Sequence, residues 1–73
     1  MKTLKDMKEG EKTHVVKING DGALRRRMMD MGLIDGTAVT VRRFAPLGDP
    51  IELSVRGFEL SLRKADAELV EVK

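Results

Sequence analysis

The sequence predicts a small, mainly β domain of five strands, with one α-helix after the first strand and a short helical turn at the N-terminus. Three observations support this prediction. Apolar and polar residues alternate in several short runs, which is the pattern of strands with one buried face. Only residues 19–36 combine turn chemistry with helical spacing. A short antiparallel set of strands can protect its edges by curling into a barrel.

The first eighteen residues predict a helical turn followed by a strand. Thr3 is a candidate capping residue, with Asp6 three positions later, and Gly10 ends the segment. Residues 12–18 read KTHVVKI, and their alternation predicts a strand with Val16 in the core. One face of this strand carries His14, Val16 and Ile18.

The helix is predicted to begin at Asp21 and to end at Gly32. Asp21 is a favourable N-cap residue, and Gly32 allows Leu33 to fold back on the last turn in a Schellman motif. The spacing i, i+4 and i+7 predicts a narrow apolar stripe that faces the core. This stripe consists of Leu24, Met28 and Met31.

Residues 37–44 predict the second strand, with a bend or bulge near Arg42-Arg43 because Phe44 is out of phase with the valines before it. A proline-containing loop, residues 45–50, leads to the next strands. A short turn at residues 63–66 precedes the last strand, which lies within residues 67–72.

Residues 51–62 predict a tight hairpin. Two alternating runs flank Arg56-Gly57, and a two-residue loop keeps all their apolar side chains on one face. The turn type stays open, because Arg56 is not a usual first residue of a type I′ turn. The predicted cross-strand pairs, all expected on the core face, are Val55–Phe58, Leu53–Leu60 and Ile51–Leu62.

The totals predict a single domain over residues 1–73, with a modest core. The chain has no cysteine, which excludes disulfides and thiolate metal sites and fits a reducing compartment. No apolar run reaches the ~20 residues of a membrane span. The charged start does not resemble a signal peptide.

The residue types argue against an enzyme. His14 is the only histidine, and a local hydrogen bond explains it more simply than a role as ligand or base. The carboxylates are scattered, so we expect neither a catalytic pair nor a bound cofactor, and no tight Fe²⁺ or Zn²⁺ site. No phosphate-binding glycine motif is present, so the chain should not bind GTP itself.

Two binding classes are also disfavoured. Proline-rich peptides need an aromatic groove, but the chain has no Trp or Tyr and only two Phe. Nucleic acid would use the arginines at 25–27, yet stacking aromatics are missing and the net charge is only +2. A solvated helix face explains these arginines more simply.

A protein partner fits the surface residues better. Met29 points away from the helix stripe, between arginines, and Met and Arg are common in interfaces. A lone exposed apolar side chain is the simpler alternative. Leu47 lies on a proline-stiffened loop without an evident role in the core. The alternative is that the prolines only shape the turn before the hairpin. The candidate docking residues are Arg25, Arg26, Met29, Arg42, Arg43 and Leu47.

Several short motifs follow one another at a specific spacing from the helix to the last strand. They are Arg27-Met28, Met31-Gly32-Leu33, Gly36, Pro46-Leu47-Gly48-Asp49-Pro50, Gly57, Leu62-Arg63, Ala67, Val70 and Val72. In this order they resemble the FeoA family over nearly the whole chain, with Met28 and Val70 as conservative departures from the family pattern. The resemblance implies a small SH3-like β-barrel, a module also similar to the C-terminal domain of iron- and manganese-dependent repressors.

The resemblance implies a cytoplasmic accessory of bacterial ferrous iron uptake. Its expected partner is the cytoplasmic part of a membrane ferrous iron transporter with a GTP-binding domain, similar to FeoB. The alternative is a metal-responsive regulatory module like the repressor domain, although the chain shows no helix-turn-helix. Self-association stays open, as does the question of whether the protein stimulates its partner or only scaffolds it.

Overall fold

The computed structural model describes residues 2–73 and has the expected mainly β architecture. A 3₁₀ turn precedes the first strand, the main helix follows that strand, and a second short helix precedes the last strand. The elements are the 3₁₀ turn Leu4–Asp6, β1 Lys12–Ile18, α1 Gly22–Asp30, β2 Ala38–Phe44, β3 Ile51–Val55, β4 Phe58–Leu62, α2 Lys64–Ala67 and β5 Val70–Val72.

The strands form one antiparallel sheet in the order β4-β3-β2-β1-β5. The first half of β1 pairs with β2, and its second half pairs with β5. The edge of β5 is covered by the N-terminal segment, because the Val72 N–H donates to the Lys2 carbonyl and Thr3 bridges Glu71. The predicted class of five strands, one helix after the first strand and an N-terminal turn is confirmed.

The hairpin has the predicted register, residue for residue. Both loop residues have positive φ, 52° at Arg56 and 89° at Gly57, which resolves the open turn type as type I′. The expected burial of Phe58 is wrong, since its side chain is 60% exposed. Phe58 lies on β4, the edge strand of the sheet, whereas its partner Val55 on β3 is fully buried. Leu60, on the same edge strand, packs only partly against the core.

The bulge predicted in the second strand is confirmed, since the pairing of β2 with β3 shifts between Val41 and Arg43. The first strand also contains an irregularity, between Val15 and Lys17, and this one was not predicted. It reverses the alternation, so Val15 and Ile18 are both buried. The prediction that Val16 joins the core is therefore wrong, because Val16 is 43% exposed.

Helix α1 has both predicted end structures. The Asp21 carboxylate accepts a hydrogen bond from the Leu24 N–H at 2.8 Å, which makes it the N-cap. At the other end, the Leu33 N–H donates to the Met28 carbonyl and the Gly32 N–H to the Met29 carbonyl, each at 3.0 Å. These two bonds define a Schellman motif, with Gly32 at φ 95°.

The core lies between the sheet, α1 and the N-terminal turn. Met28 is fully buried, whereas Leu24 and Met31 pack at the margin of the core. The core contains fifteen buried apolar residues: Leu4, Met7, Val15, Ile18, Met28, Leu33, Val39, Val41, Ile51, Leu53, Val55, Leu62, Ala67, Val70 and Val72.

Candidate partner-docking surface

Three of the exposed large apolar side chains lie along the C-terminal half of α1. Met29 is 49% exposed, Ile34 37% and Phe58 60%. Met29 borders one cavity with Ile34 and a second cavity with Phe58, so the three form one connected surface. We call this the Met29 surface, and it comprises Met29, Ile34 and Phe58 with the basic residues Lys17, Arg25 and Arg56.

The first cavity lies between α1 and β1 and has a volume of about 370 Å³. Its apolar wall is formed by Met29 and Ile34, with the buried Ile18 at its base. Charged groups surround this wall. The charged residues are Lys17, Arg25 and Asp35.

The second cavity, of about 270 Å³, lies between the end of α1 and the hairpin turn. It is lined by Met29 and Met31 on the helix side and by Phe58 on the hairpin side. Asp30 and Arg56 supply its charges. Because Met29 lines both cavities, a ligand that covers this residue can occupy both at once.

The local sequence explains why these side chains are exposed. Met28 is fully buried, and the next helix position is rotated by 100°, which turns Met29 outward. The left-handed Gly32 then reverses the chain, so Leu33 is buried and Ile34 lies beside Met29. A Cβ at Gly32 would lie 3.8 Å from Arg56 and from Val55, which shows how closely the helix end approaches the hairpin turn.

The basic groups of the Met29 surface are available for an external partner. Within residues 2–73, the ion pairs closer than 4.0 Å include none of Lys17, Arg25 and Arg56. Most carboxylates elsewhere already have partners. For example, Glu71 accepts a hydrogen bond from the Asn19 side chain at 2.6 Å.

The sequence-predicted docking residues lie on different parts of the protein. Arg25 and Met29 meet in the first cavity of the Met29 surface. Arg26 instead lines a separate, open groove with Arg27 and Asp30, at the other side of the helix. The structure therefore brings two of the three helix candidates together.

The remaining candidates line neither cavity of the Met29 surface. Arg42 lies 3.9 Å from Glu59, and Arg43 lies 3.4 Å from Glu52, so both contact the hairpin through weak, exposed ion pairs. Leu47 is 95% exposed on the loop between β2 and β3. These residues belong to a different part of the surface.

Sequence reasoning missed Lys17, Ile34, Arg56 and Phe58. Phe58 alternates in phase with Leu60, and this pattern predicts that it lies on the core face. Arg56 is predicted only as a residue of the hairpin turn. For Ile34, a signal was present, because the residue after a Schellman motif has left the helix and need not follow the buried Leu33.

The groups with shifted pKa lie away from this surface, near the N-terminal turn. The Thr3 N–H, which donates to Asp6 at 3.0 Å, lowers the pKa of that carboxyl group. A hydrogen bond from Lys2 lowers the pKa of Glu11, and one to Glu68 raises the pKa of Lys5. Of these contacts, the one between Lys5 and Glu68 attaches the N-terminal turn to the end of α2.

Residues 2–73 contain neither a group of side chains that could bind a metal ion nor a helix that could span a membrane. No group of three or more His, Cys, Asp or Glu side chains is placed so that it could hold a metal ion. Neither α1 nor α2 is long and apolar enough to cross a membrane. His14 is exposed on β1, beside Val16.

The sequence of this chain is similar to those of known proteins. The protein-family model that describes the FeoA domain matches residues 2–73. A fusion of Fe(2+) transport protein A with the Fe(2+) transporter FeoB from Porphyromonas gingivalis is 34% identical over 70 residues. The match covers 96% of this chain, which spans 8% of the length of that relative.

Solved structures of FeoA proteins are also similar to this chain. The FeoA protein of Chlorobium tepidum is 42% identical, with a TM-score of 0.92, and the match covers 97% of this chain and 68% of the other. The zinc complex of FeoA from Stenotrophomonas maltophilia, described as a prokaryotic SH3 domain protein, has a TM-score of 0.86 at 23% identity. That match covers 100% of this chain and 91% of the other, and it confirms the SH3-like fold. The chain therefore belongs to the FeoA family, whose members are non-catalytic accessory proteins of ferrous iron transport.

Proposed function

We propose that this protein works in the cytoplasm by docking on the cytoplasmic part of a membrane ferrous iron transporter that carries a GTP-binding domain. The observation that supports this is the relative in which the same domain is fused to the transporter FeoB. A covalent link raises the effective concentration of one part near the other, which is useful only when the two parts interact. A separate protein of the same family would need a docking surface instead.

Docking alone can influence the transporter. A protein without catalytic groups shifts the partner between conformations only as far as it binds one of them more tightly than the other. A modest difference of about 1.4 kcal/mol in binding free energy changes the ratio of two conformations about tenfold. Small contacts on this protein can therefore have a functional effect.

The helix candidates Arg25, Arg26 and Met29 are the proposed centre of docking. The cavity that Arg25 and Met29 share supports these two residues, and Arg25 belongs to none of the ion pairs within residues 2–73. Arg26 lies in a separate groove on the other side of the helix and would contact a partner only at the margin. Arg42, Arg43 and Leu47 form a second candidate surface, on which the exposed Leu47 is the most prominent side chain.

A binding experiment tests the proposal. The full chain is immobilised, and the isolated cytoplasmic part of the transporter from the same organism is passed over it. We expect saturable binding that an unrelated GTP-binding protein does not show. No binding to either the isolated part or the whole transporter in lipid nanodiscs would refute the proposed function. A stoichiometric Fe²⁺ or Mn²⁺ site found by calorimetry on the isolated chain would instead favour the metal-responsive regulatory module.

A further inference from the structure

We propose that the Met29 surface binds an acidic segment of the transporter's cytoplasmic part, with one apolar side chain of that segment in each of the two cavities. This inference rests on the proposed function and adds the surface and the chemistry of the partner segment. It follows from the arrangement of the cavities, from the charges around them, and from the conformation of Arg56.

The two cavities provide the apolar contacts. They share Met29 as a common wall, with Ile34 exposed in one and Phe58 in the other. Volumes of about 370 and 270 Å³ leave room for a branched aliphatic or an aromatic side chain in each. The flexible side chain of Met29 can adapt to both. Side chains that fill adjacent pockets of this kind are the usual anchors of a protein interface.

The cavities are lined by three cations and two carboxylates, Asp30 and Asp35, and this excess of positive charge favours a segment with acidic groups placed beside the cations. Lys17 and Arg25 lie beside the first cavity and Arg56 beside the second, and none of the three has an ion-pair partner within the described chain. Carboxylates placed next to the apolar anchors would reach these cations. Such complementary charges speed association and reject partners of the wrong sign.

The backbone conformation of Arg56 is an independent observation. It has φ 52°, in the left-handed region that side chains other than Gly, Asn and Asp rarely adopt. At this position of a type I′ turn, Asn would fit the backbone better. The Arg56 side chain passes over Gly32 and lines the second cavity. A long cation at a position where the turn favours another residue indicates a use for that cation.

Other occupants fit less well. A second copy of this chain would, in a symmetric dimer, place this basic surface against itself. A nucleic acid would need several aromatic side chains for base stacking beside the cations. Phe58 is the only aromatic side chain present for base stacking. A protein segment can match such a mixed surface group by group.

Three variants test the inference, and two have matched controls. Met29→Asp is compared with Val16→Asp, which introduces the same charge at another exposed apolar residue that lines neither cavity. Arg25→Glu is compared with Lys12→Glu, an exposed cation at the far end of β1. The Arg25→Glu change keeps the helix stable, because the helix dipole favours an acid near its first turn. Arg56→Asn removes a cation and installs the preferred Asn-Gly turn.

The measurement is the dissociation constant for the cytoplasmic part of the transporter, at low and at high salt. We expect Met29→Asp and Arg25→Glu to weaken binding about tenfold or more, and Arg56→Asn about threefold or more. Both controls should stay within about twofold. High salt should reduce the effect of Arg25→Glu, because screening weakens exposed charge pairs. Thermal unfolding followed by circular dichroism verifies that each variant is folded.

The outcomes separate the inference from the proposed function. Wild-type binding that a folded Met29→Asp variant retains would overturn the inference and leave the proposed function standing. Equal losses in Arg25→Glu and Lys12→Glu would also overturn it, because net charge alone would then decide binding. A concentration-dependent dimer of the isolated chain that Met29→Asp abolishes would assign the surface to a second copy instead.

Discussion

Replacing Leu53 by alanine should destabilise the domain far more than replacing Leu60, although the two residues face each other across the hairpin. Leu53 is fully buried, between Val41 on β2 and Leu60 on β4. Leu60 is only partly buried at the margin of the core. Each substitution removes the same atoms, so the difference in burial alone should separate their effects.

The magnitudes follow from burial. A Leu→Ala change removes three carbons, worth about 2.4 kcal/mol at about 0.8 kcal/mol for each buried carbon. At Leu53 the enclosed cavity adds to this loss, and we expect about 3–5 kcal/mol. At Leu60 part of the side chain is in water and the space can refill, so we expect about 1–2 kcal/mol. A domain of 73 residues has a total stability of roughly 4–11 kcal/mol.

Urea unfolding followed by far-UV circular dichroism measures this difference, since the chain has no Trp or Tyr for fluorescence. With a slope of about 1 kcal/mol per M for a small protein, Leu53→Ala should lower the midpoint by about 3 M or more. Leu60→Ala should lower it by about 1–2 M. The double variant should lose less than the sum, because the two side chains are in contact.

Equal losses of unfolding free energy in Leu53→Ala and Leu60→Ala would refute the view that Leu53 lies inside the core and Leu60 at its margin. Strict additivity in the double variant would refute the hairpin register, because residues that are not in contact do not couple. The comparison requires that the free energy of unfolding falls with urea concentration at the same slope in each variant as in the wild type. A changed slope would mean that the unfolded state had changed as well.

Three further predictions concern the helix and the N-terminal segment. Asp21→Ala should cost about 1 kcal/mol in a urea titration, because the Leu24 N–H loses its cap. Gly32→Ala should cost about 1–2 kcal/mol, from backbone strain at φ 95° and not from a clash, since a Cβ there meets only ordinary contacts. Asp6 and Glu11 have lowered pKa values, so the stability they contribute is present near pH 7 and is lost as the pH falls through those values. The double variant Asp6→Asn, Glu11→Gln should therefore lose less thermal stability than the wild type on acidification.

The hairpin register and the helix ends could be predicted because short-range rules determine them. A two-residue turn sets the pairing of the strands that it joins, and all three predicted pairs are present. The N-cap Asp21 and the Schellman glycine Gly32 act within a few residues of the helix ends.

The errors arose where burial depends on distant parts of the chain. Thr13 and Val15 face the core in the first half of β1, so Val16 points outward. The irregularity after Val15, in the pairing with β5 more than fifty residues later, then brings Ile18 back to the core face. Phe58 alternates correctly, but alternation cannot show that its strand lies at the edge of the sheet. The same limit applies to docking. Arg25 and Met29 could be predicted from helix spacing alone, whereas Arg56 joins them only through the close approach of the turn to Gly32.

The exposed apolar residues of the Met29 surface are not explained by folding. The core contains fifteen apolar side chains and is complete without Met29, Ile34 and Phe58. Single exposed apolar residues such as Leu47 are common in soluble proteins. Three that share two adjacent cavities, beside cations without partners in the described chain, are a different observation. Polar residues at these positions would reduce the risk of aggregation. The apolar surface is therefore best understood as half of an interface, and we propose that the transporter supplies the other half.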